Sequence, residues 1–456
     1  MAYTSSLGLP QILIDFQSQA STAMIRSSRG VGVEILNDEN ATNDTGIIYY
    51  NIKDVSDIPE NISDKNADLI RKGLLGTPAQ IHVFLIPNPT YTVTKEVATT
   101  TTVETTTTIN SEVFVVGVED LDDPDLSTED HYEIQPVTVS TTTVVATTTT
   151  VTETVVATVT AANVYSQAGD MKFNWICHPT GTAQDQENLA TWVKGQRNNK
   201  HKTFKAVVAH FAADDYGIVN FTTEKIRVVN PDYTDALADV GGDAERVDST
   251  IPQYVTYTAT EYTARIMGIL AGISLDRSST YYQLTEIVDC QRYDDIGSHI
   301  DAGELCLFDE HDNNGVKIAR GCNSLVTFTA TVGESFRYIK IVEAIDLISD
   351  DIATTFRNDY VGKVINSYDN KCLFISAIMV YLNQLKGSVL DNSSTAENYV
   401  EIDVDAHKDW ASVHSIEVDD FNNQQLLEIN TGSWVFLRGV LRPVNAMEDL
   451  EIHFYM

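Results

Sequence analysis

The sequence predicts a multidomain α+β and α/β chain, with an α/β region, an all-β segment rich in Thr and Val, and an extended strand at each end. A strand–helix–strand pattern over 171–211 indicates a parallel sheet with a crossover helix. Residues 91–109 and 137–160 are almost entirely Thr and Val, whose branched Cβ favours extended structure. Apolar and polar residues alternate near both ends, with the apolar positions at Ile12, Ile14 and Phe16 and at Leu450, Ile452 and Phe454.

The composition excludes several classes of partner. The chain has 456 residues, of which 30 are Lys or Arg and 65 are Asp or Glu, so its formal net charge is −35. A protein that binds nucleic acid or docks on an anionic membrane needs clustered basic residues, so we expect neither of these partners. A hydrophobic content of 43% is typical of a folded globular chain.

The sequence gives no sign of export or of a membrane span. Residues 1–19 lack the basic and apolar regions of a secretory signal, and no apolar run approaches the ~18 residues that cross a membrane. The five cysteines are odd in number and lack metal-ligand spacing. We therefore expect a chain made in the cytosol with reduced thiols, without disulfides or structural zinc.

Three elements are expected between the first alternating segment and the Thr/Val-rich region. After the predicted strand in 8–20, the apolar stretch 30–36 predicts a second strand. Residues 64–72 predict a short helix, and 80–86 predict a buried strand that ends at Pro87.

Two long β-ribbons in one antiparallel sheet are the simplest structure for the Thr/Val-rich region, with the acidic residues 117–134 between them as a solvated loop. The alternative is an O-glycosylated stalk, since such stalks are also rich in Thr. Stalks of that kind contain Pro and need secretion, whereas this region has little Pro. The β interpretation is therefore favoured.

Strands and helices are expected to alternate after residue 170. The strand–helix–strand unit comprises 171–177, 185–198 and 204–211, and the acidic stretch 232–250 is predicted to be irregular. Later helices are expected at 258–273, 334–357 and 369–386, with one or two strands within 397–420.

Two of these helices carry a further prediction about their faces. Gly268 and Gly272 lie inside a predicted helix, where small residues permit close packing. In the helix predicted over 334–357, apolar residues recur at helical spacing, so the charged positions between them are expected to face water. These positions are Glu343, Asp346 and Asp350.

No catalytic motif stands out in the sequence. It has no phosphate-binding GxxxxGK[ST] loop, no GxSxG nucleophile turn and no HExxH zinc helix. Three weak candidates are better explained as ordinary turns or structural side chains: the pair Asp214 and Asp215, the pair His178 and His210, and a calcium-loop-like stretch over 309–315. We therefore predict no enzyme, no catalytic residue, no cofactor and no metal.

The two terminal strands are the most informative feature that remains. A strand at the end of a chain needs an edge to pair with, either in its own chain or in a neighbour. The periodicity alone does not decide between these two arrangements. If each copy gives its strands to the next copy head to tail, the interface generates rings or helical filaments.

Four stretches of the sequence resemble one family, the tail sheath proteins of contractile-tailed, myovirus-type phages and of R-type, phage-tail-like bacteriocins of Gram-positive bacteria. The similar stretches are GLPQILIDFQSQASTAMIRSSRGVGVEIL (8–36), ARIMGILAGISLDRSSTYYQL (264–284), DYVGKVINSYDNKCLFISAIMVYLNQL (359–385) and GSWVFLRGVLRPVNAMEDLEIHFYM (432–456). The last of them, with its Pro-x-x-Ala-Met-Glu-Asp turn, is the most specific.

The resemblance implies a core domain built from both ends of the chain, with other domains inserted between. The implied parts are an N-terminal arm (1–25), the first part of the core (26–89), an inserted outer β-rich domain (90–165), an α/β sheath domain (166–330), a C-terminal core domain (331–442) and a C-terminal arm (443–456). The arms would join through hinges at Arg29 and Gly30 and at Pro443 and Asn445.

The resemblance also implies a function. Such a subunit polymerises helically around an inner tail tube and contracts to drive the tube through a target envelope, with energy stored in the extended lattice and no nucleotide. Its partners would be further copies, the tube protein, and the baseplate and tail-terminator proteins. It would assemble in the host cytoplasm and remain in a virion tail or a released tail-like particle. The residues leave two alternatives, a Thr-rich β surface adhesin and an α/β enzyme.

Overall fold

The computed structural model describes residues 29–115, 131–310 and 315–455. The chain divides into two compact units, one comprising Met1–Asn88 and Val159–Met456 and the other Pro89–Thr158. The N-terminal segment with Ile12, Ile14 and Phe16 lies outside the described residues.

The strands are β1 (Val31–Asp38), β2 (Ile48–Ile52), β3 (Gln80–Pro87), β4 (Thr90–Val115), β5 (His131–Val156), β6 (Trp175–Cys177), β7 (Lys205–Ala209), β8 (Ile218–Phe221), β9 (Ile226–Val229), β10 (Tyr254–Tyr257), β11 (Gln283–Leu284), β12 (Ile287–Asp289), β13 (Glu304–Leu305), β14 (Leu307–Asp309), β15 (Val316–Ile318), β16 (Tyr399–Ile402) and β17 (Leu437–Val440). The helices are α1 (Asp64–Leu74), α2 (Ala161–Ala168), α3 (Ala183–Lys200), α4 (Pro231–Asp239), α5 (Ala259–Gly272), α6 (Ile296–Asp301), α7 (Ile339–Thr355), α8 (Tyr368–Leu385), α9 (Val404–Val413) and α10 (Asn423–Leu427).

A seven-stranded sheet with the order β13-β8-β7-β6-β1-β3-β2 forms the centre of the larger unit. All neighbours in it are parallel except β2 and β3. Helices α1 and α5 cover one face, and α2 and α3 cover the other. Because both faces are covered, the central strands are buried along their length, as in β7, where all five residues are buried and all except Lys205 are apolar. This confirms the mixed α/β fold that the sequence predicts.

Helices α1 and α5 pack through backbone-to-backbone contact. A side chain at Gly268 would collide with the backbone of Gly73 and one at Gly272 with that of Gly76. The close approach confirms the packing role predicted for Gly268 and Gly272, because a Cβ at either position would force the helices apart.

Gly268→Ala is expected to lower the free energy of unfolding by about 1–3 kcal/mol, since the added methyl group has no room beside Gly73. Gly195→Ala in α3 is the matched control, because nothing lies within 4 Å of a Cβ there. The control should gain about 0.5–1 kcal/mol from helix propensity. Urea unfolding measures both values, and equal stability of the two variants would contradict this packing.

A helical layer follows in the C-terminal part of the chain. Helix α7 continues into a π-helix, Phe356–Tyr360, and packs against α8. Strands β16 and β17 pair antiparallel, and Val400 and Leu437 from these strands pack against the apolar cluster of the two helices. The predicted helices 334–357 and 369–386 are therefore present.

Some local predictions are wrong for identifiable reasons. The stretch 232–250 contains helix α4, which the Asn230 side chain caps and which has Pro231 at its first position. In 397–420 the predicted strand is present as β16, but the stretch also contains helix α9, which the sequence did not predict and whose N-terminus Asp403 caps. Asn and Asp are common helix N-caps, but in acidic stretches with weak apolar periodicity these two do not stand out from the other polar residues.

The Thr/Val-rich region forms one antiparallel pair of strands. Strands β4 and β5 pair along their full length, from Thr90 opposite Val156 to Val115 opposite His131. The chain then enters α2, where Val164 and Ala168 are buried in a core of the larger unit. Within the described part of Pro89–Thr158, these two strands have no third strand or helix beside them.

Candidate functional site

A buried network of charges surrounds the start of the described chain. Arg29 forms an ion pair with Glu343 on α7, and Lys205 on β7 lies 3.0 Å from the same carboxylate. Lys205 also lies 2.8 Å from Asp346, which Arg197 on α3 binds with two hydrogen bonds of 2.9 and 3.0 Å. The network therefore joins the base of the N-terminal segment to α3, β7 and α7.

The prediction that Glu343 and Asp346 face water is wrong. Their exposed fractions are 8% and 5%, because Arg29, Arg197 and Lys205 reach them from other elements. Burial lowers the pKa of Lys205 to about 8, although Asp346 opposes the effect. Burial alone would raise the pKa of Asp346, but Lys205 and Arg197 lower it below its ordinary value.

Gly30, the second predicted hinge residue on the N-terminal side, has a backbone conformation that favours glycine. Its φ is +83°, and a Cβ there would lie 3.1 Å from the backbone nitrogen of Ala79. Arg29 and Gly30 line a cleft of about 350 Å³ together with Lys340 and Glu343. The chain at this point is thus held in one conformation by the core.

The C-terminal segment is fastened to the core by side chains. Glu448 accepts hydrogen bonds of 2.9 Å from both Ser278 and Thr280, and its side chain is 5% exposed. Arg320 lies 2.5 Å from a carboxylate oxygen of Asp449 and 3.6 Å from one of Glu448. We call these five residues the C-terminal clasp.

The clasp joins two stretches that carry the family resemblance, 264–284 and 432–456. Sequence reasoning missed this contact because Ser278 and Glu448 are far apart along the chain. The sequence offers one indication of the contact. The first stretch contains the hydroxyl groups of Ser278 and Thr280, and the second contains the carboxyl group of Glu448, and none of these had a predicted role.

Backbone contacts fix the chain just before the clasp. Pro443 forms a β-bridge with Leu390, and the Val444 amide donates to Val389 over 2.9 Å. The Lys340 ammonium also donates to the Val444 carbonyl over 3.0 Å. Pro443 and Asn445, predicted as hinge residues, therefore lie in a segment that is attached to the core on both sides.

The residues after the clasp extend away from these contacts. Leu450, Ile452 and Phe454 are 84%, 56% and 87% exposed. Within this single chain, Asp449–Tyr455 form no hydrogen-bonded strand. An exposed segment with alternating large apolar side chains is unusual on a soluble protein and marks a surface that associates with something else.

The sheet formed by β16 and β17 is small and has two edges. It contains two strands in the described part of the chain, so each strand has one edge without a neighbouring strand. Edges of this kind accept an extended segment through backbone hydrogen bonds.

The weak catalytic candidates have local structural partners. Asp214 accepts backbone hydrogen bonds from Val326 and Thr327, which joins the loop after β7 to a distant segment of the chain. His178 is buried against Asn37 at 2.9 Å, whereas His210 lies 2.6 Å from Glu224 on the surface. The two histidines thus have separate partners, and residues 311–314 of the calcium-like stretch lie outside the described residues.

One group in the described part of the chain brings three potential metal ligands together. The ligand atoms of His299, Glu304 and Cys306 lie within 4.8 Å of one another. His299 Nδ1 lies 2.8 Å from Glu304, which also accepts a hydrogen bond from Thr222. Cys306 Sγ lies 3.5 Å from the Thr222 hydroxyl, so each of the three groups has a protein partner and we assign no metal to them. The five cysteines, all in described segments, are free thiols.

Comparisons with known proteins identify the family. A profile of the phage tail sheath C-terminal domain matches residues 331–456. The tail sheath protein of Clostridium phage phiCD119 is 34% identical over 297 residues, which are 64% of this chain and 75% of that protein.

Two solved structures share the fold. The sheath tail protein from Desulfitobacterium hafniense has a TM-score of 0.54 at 20% identity, over 88% of this chain and 93% of that one. The helical sheath of the anti-feeding prophage in its contracted state has a TM-score of 0.55 at 10% identity, over 99% of both chains.

These similarities place the chain among the structural proteins of contractile tails. It belongs to the tail sheath protein family and is a structural subunit of a contractile sheath, which confirms the resemblance found in the sequence. None of the helices in the described segments combines the length and apolar character needed to cross a membrane.

Proposed function

We propose that this chain assembles helically around an inner tail tube by adding its terminal strands to the sheets of neighbouring copies. The observation that carries the proposal is the contrast within the C-terminal segment: Glu448 is held by the clasp, whereas Ile452 and Phe454 are exposed. The free edges of β16 and β17 supply the places where the C-terminal arm of one neighbour and the N-terminal arm of another would pair.

The joint between core and C-terminal arm is proposed to lie after Asp449. The contacts of Pro443, Val444 and Glu448 with the core support this position over one at Pro443 or Asn445. On the N-terminal side, we propose Arg29 as the anchor from which the arm leaves the core, since Glu343 holds it there.

Contraction is proposed to follow from this connectivity. Strand pairing holds neighbouring copies together through backbone hydrogen bonds while their rigid cores rotate about the joints. The lower free energy of the contracted packing would drive the tube through the target envelope without a nucleotide. The tube protein, the baseplate and the tail terminator are the other proposed partners, in a particle assembled in the host cytoplasm.

Serine substitution of Leu450, Ile452 and Phe454 together is expected to abolish tube formation, because these side chains would pack on the acceptor core. Electron microscopy of the purified chain over a concentration series, and of the chain co-expressed with a tail tube protein, measures this. The unsubstituted chain should form hollow, striated tubes.

The matched control replaces Glu451, His453 and Tyr455, the alternate positions of the same arm, by serine. This variant keeps the strand-forming backbone and should still form tubes. Both variants should melt like the parent chain, since all six side chains are exposed in the single subunit. Tubes from the first variant, or no tubes from the parent chain with the tube protein, would exclude arm-mediated assembly.

A further inference from the structure

The unit formed by β4 and β5 is too thin to be stable by itself. Its strands are 26 residues long and pair only with each other within the described residues. An isolated two-stranded sheet is marginally stable in water, because it has no apolar face covered by a second layer. A surface that packs on this ribbon would therefore stabilise it.

The strand register separates the residue types onto two faces. The positions alternating with Val93 on β4, and the positions opposite them on β5, contain eleven Val or Ile residues, six on one strand and five on the other. The intervening positions contain three, all on β5, and thirteen Thr residues. We call the first set the valine face and the second the threonine face.

Charge follows the same division. The valine face contains Lys95, Glu133 and Glu153, and Lys95 lies 3.8 Å from Glu153 across the strands. The threonine face contains three Glu residues and no basic residue. The valine face is thus the more apolar of the two. Its side chains Val139 and Val151 are nevertheless 42% and 49% exposed in the single chain.

We propose that the valine face is an interface between copies of this chain, on which the valine face of a second copy's ribbon packs to form a two-layered sheet. A strand rises about 3.3 Å per residue and strands lie about 4.8 Å apart, so the face measures about 86 by 10 Å. That gives about 860 Å² per copy, close to the roughly 800 Å² per partner that a stable protein interface buries.

A second copy fits this face for two further reasons. All β-ribbons twist with the same hand, so two identical ribbons present matching curved surfaces. With one Lys and two Glu residues the face has a formal net charge of −1, in a chain of net charge −35, so two such faces meet with less repulsion than more acidic surfaces of the two copies would. The ribbon interface depends on the proposed helical assembly in one respect, that the assembly places copies of the chain side by side.

Cysteine cross-linking tests which face meets a second copy. In a Cys372→Ser background, which removes the only one of the five cysteines that is not buried, Val139→Cys and Val151→Cys are expected to give covalent dimers under mild oxidation. Ser140→Cys and Thr150→Cys, their neighbours on the threonine face, are the matched controls and should remain monomeric. Non-reducing gels on soluble and assembled protein give the result.

The outcomes separate this proposal from the assembly proposal. Tubes without cross-links at Val139 and Val151 would overturn the ribbon interface and leave arm-mediated assembly intact. Cross-links in soluble protein that forms no tubes would support the interface alone. Equal dimer yields at all four positions, or dimers from the controls alone, would also overturn the ribbon interface. A valine face covered by its own chain would give no dimer and would overturn it too.

Discussion

Replacing Asp346 by asparagine is expected to lower the free energy of unfolding of the larger unit by about 3–5 kcal/mol. The carboxylate lies between Arg197 and Lys205, and all three side chains are at most 7% exposed. Asparagine keeps the shape but removes the charge. Arg197 would then be left with the backbone carbonyls of Thr203 and Phe204, and Lys205 would share Glu343 with Arg29.

Urea unfolding followed by tryptophan fluorescence measures this effect. Trp175 is a direct reporter, because it is buried in the central sheet and the Lys205 ammonium lies 5.1 Å from its ring centre. Asp405→Asn is the matched control, since Asp405 pairs with Arg438 at 3.0 Å on the surface. The control should unfold like the parent chain, and a similar loss in both variants would show that burial does not govern the effect.

The same network shows why the sequence predicted the position of helix α7 correctly but not the environment of its charged side chains. The apolar spacing of α7 identifies the helix, and Ile341 and Ile348 are buried as expected. Periodicity treats Glu343 and Asp346 as solvent-facing, however, because it contains no information on residues that arrive from other elements. Arg197 and Asp346 are 149 residues apart, so their contact depends on the tertiary fold.

The C-terminal segment shows a similar limit. The alternation of Leu450, Ile452 and Phe454 predicts an arm, and these side chains are indeed exposed. The family resemblance implied a hinge at Pro443 and Asn445, whereas the clasp around Glu448 depends on Ser278 and Arg320 from distant loops. The pairing of the arms with other copies stays a prediction, since it concerns contacts between chains.

The buried carboxyl group of Glu34 is expected to make the fold less stable at neutral and alkaline pH. Glu34→Gln is expected to remove this loss of stability. Glu34 lies in the middle of β1 between β3 and β6, is 0% exposed, and neither of its carboxyl oxygens has a hydrogen-bond partner. Burial raises its pKa from 4.5 to about 8. The folded chain therefore keeps a proton that the unfolded chain has lost between these two pH values.

The sign of the pH dependence follows from this difference. Because the folded state binds the extra proton, the contribution of Glu34 to stability is complete below pH 4.5 and is lost as the pH rises to about 8. The slope is about 1.4 kcal/mol per pH unit, which gives a loss approaching 5 kcal/mol over the whole window. Glutamine resembles the protonated acid and does not titrate, so the variant should lack this slope.

Unfolding free energies of the two chains between pH 5 and pH 8 test the prediction. Glu34→Gln should gain about 1.4 kcal/mol relative to the parent chain for each pH unit, whatever fixed cost its amide adds. Glu60→Gln, at an exposed position, should follow the parent profile throughout. Parallel profiles for the parent chain and Glu34→Gln would mean that the carboxyl group reaches water or a partner in solution.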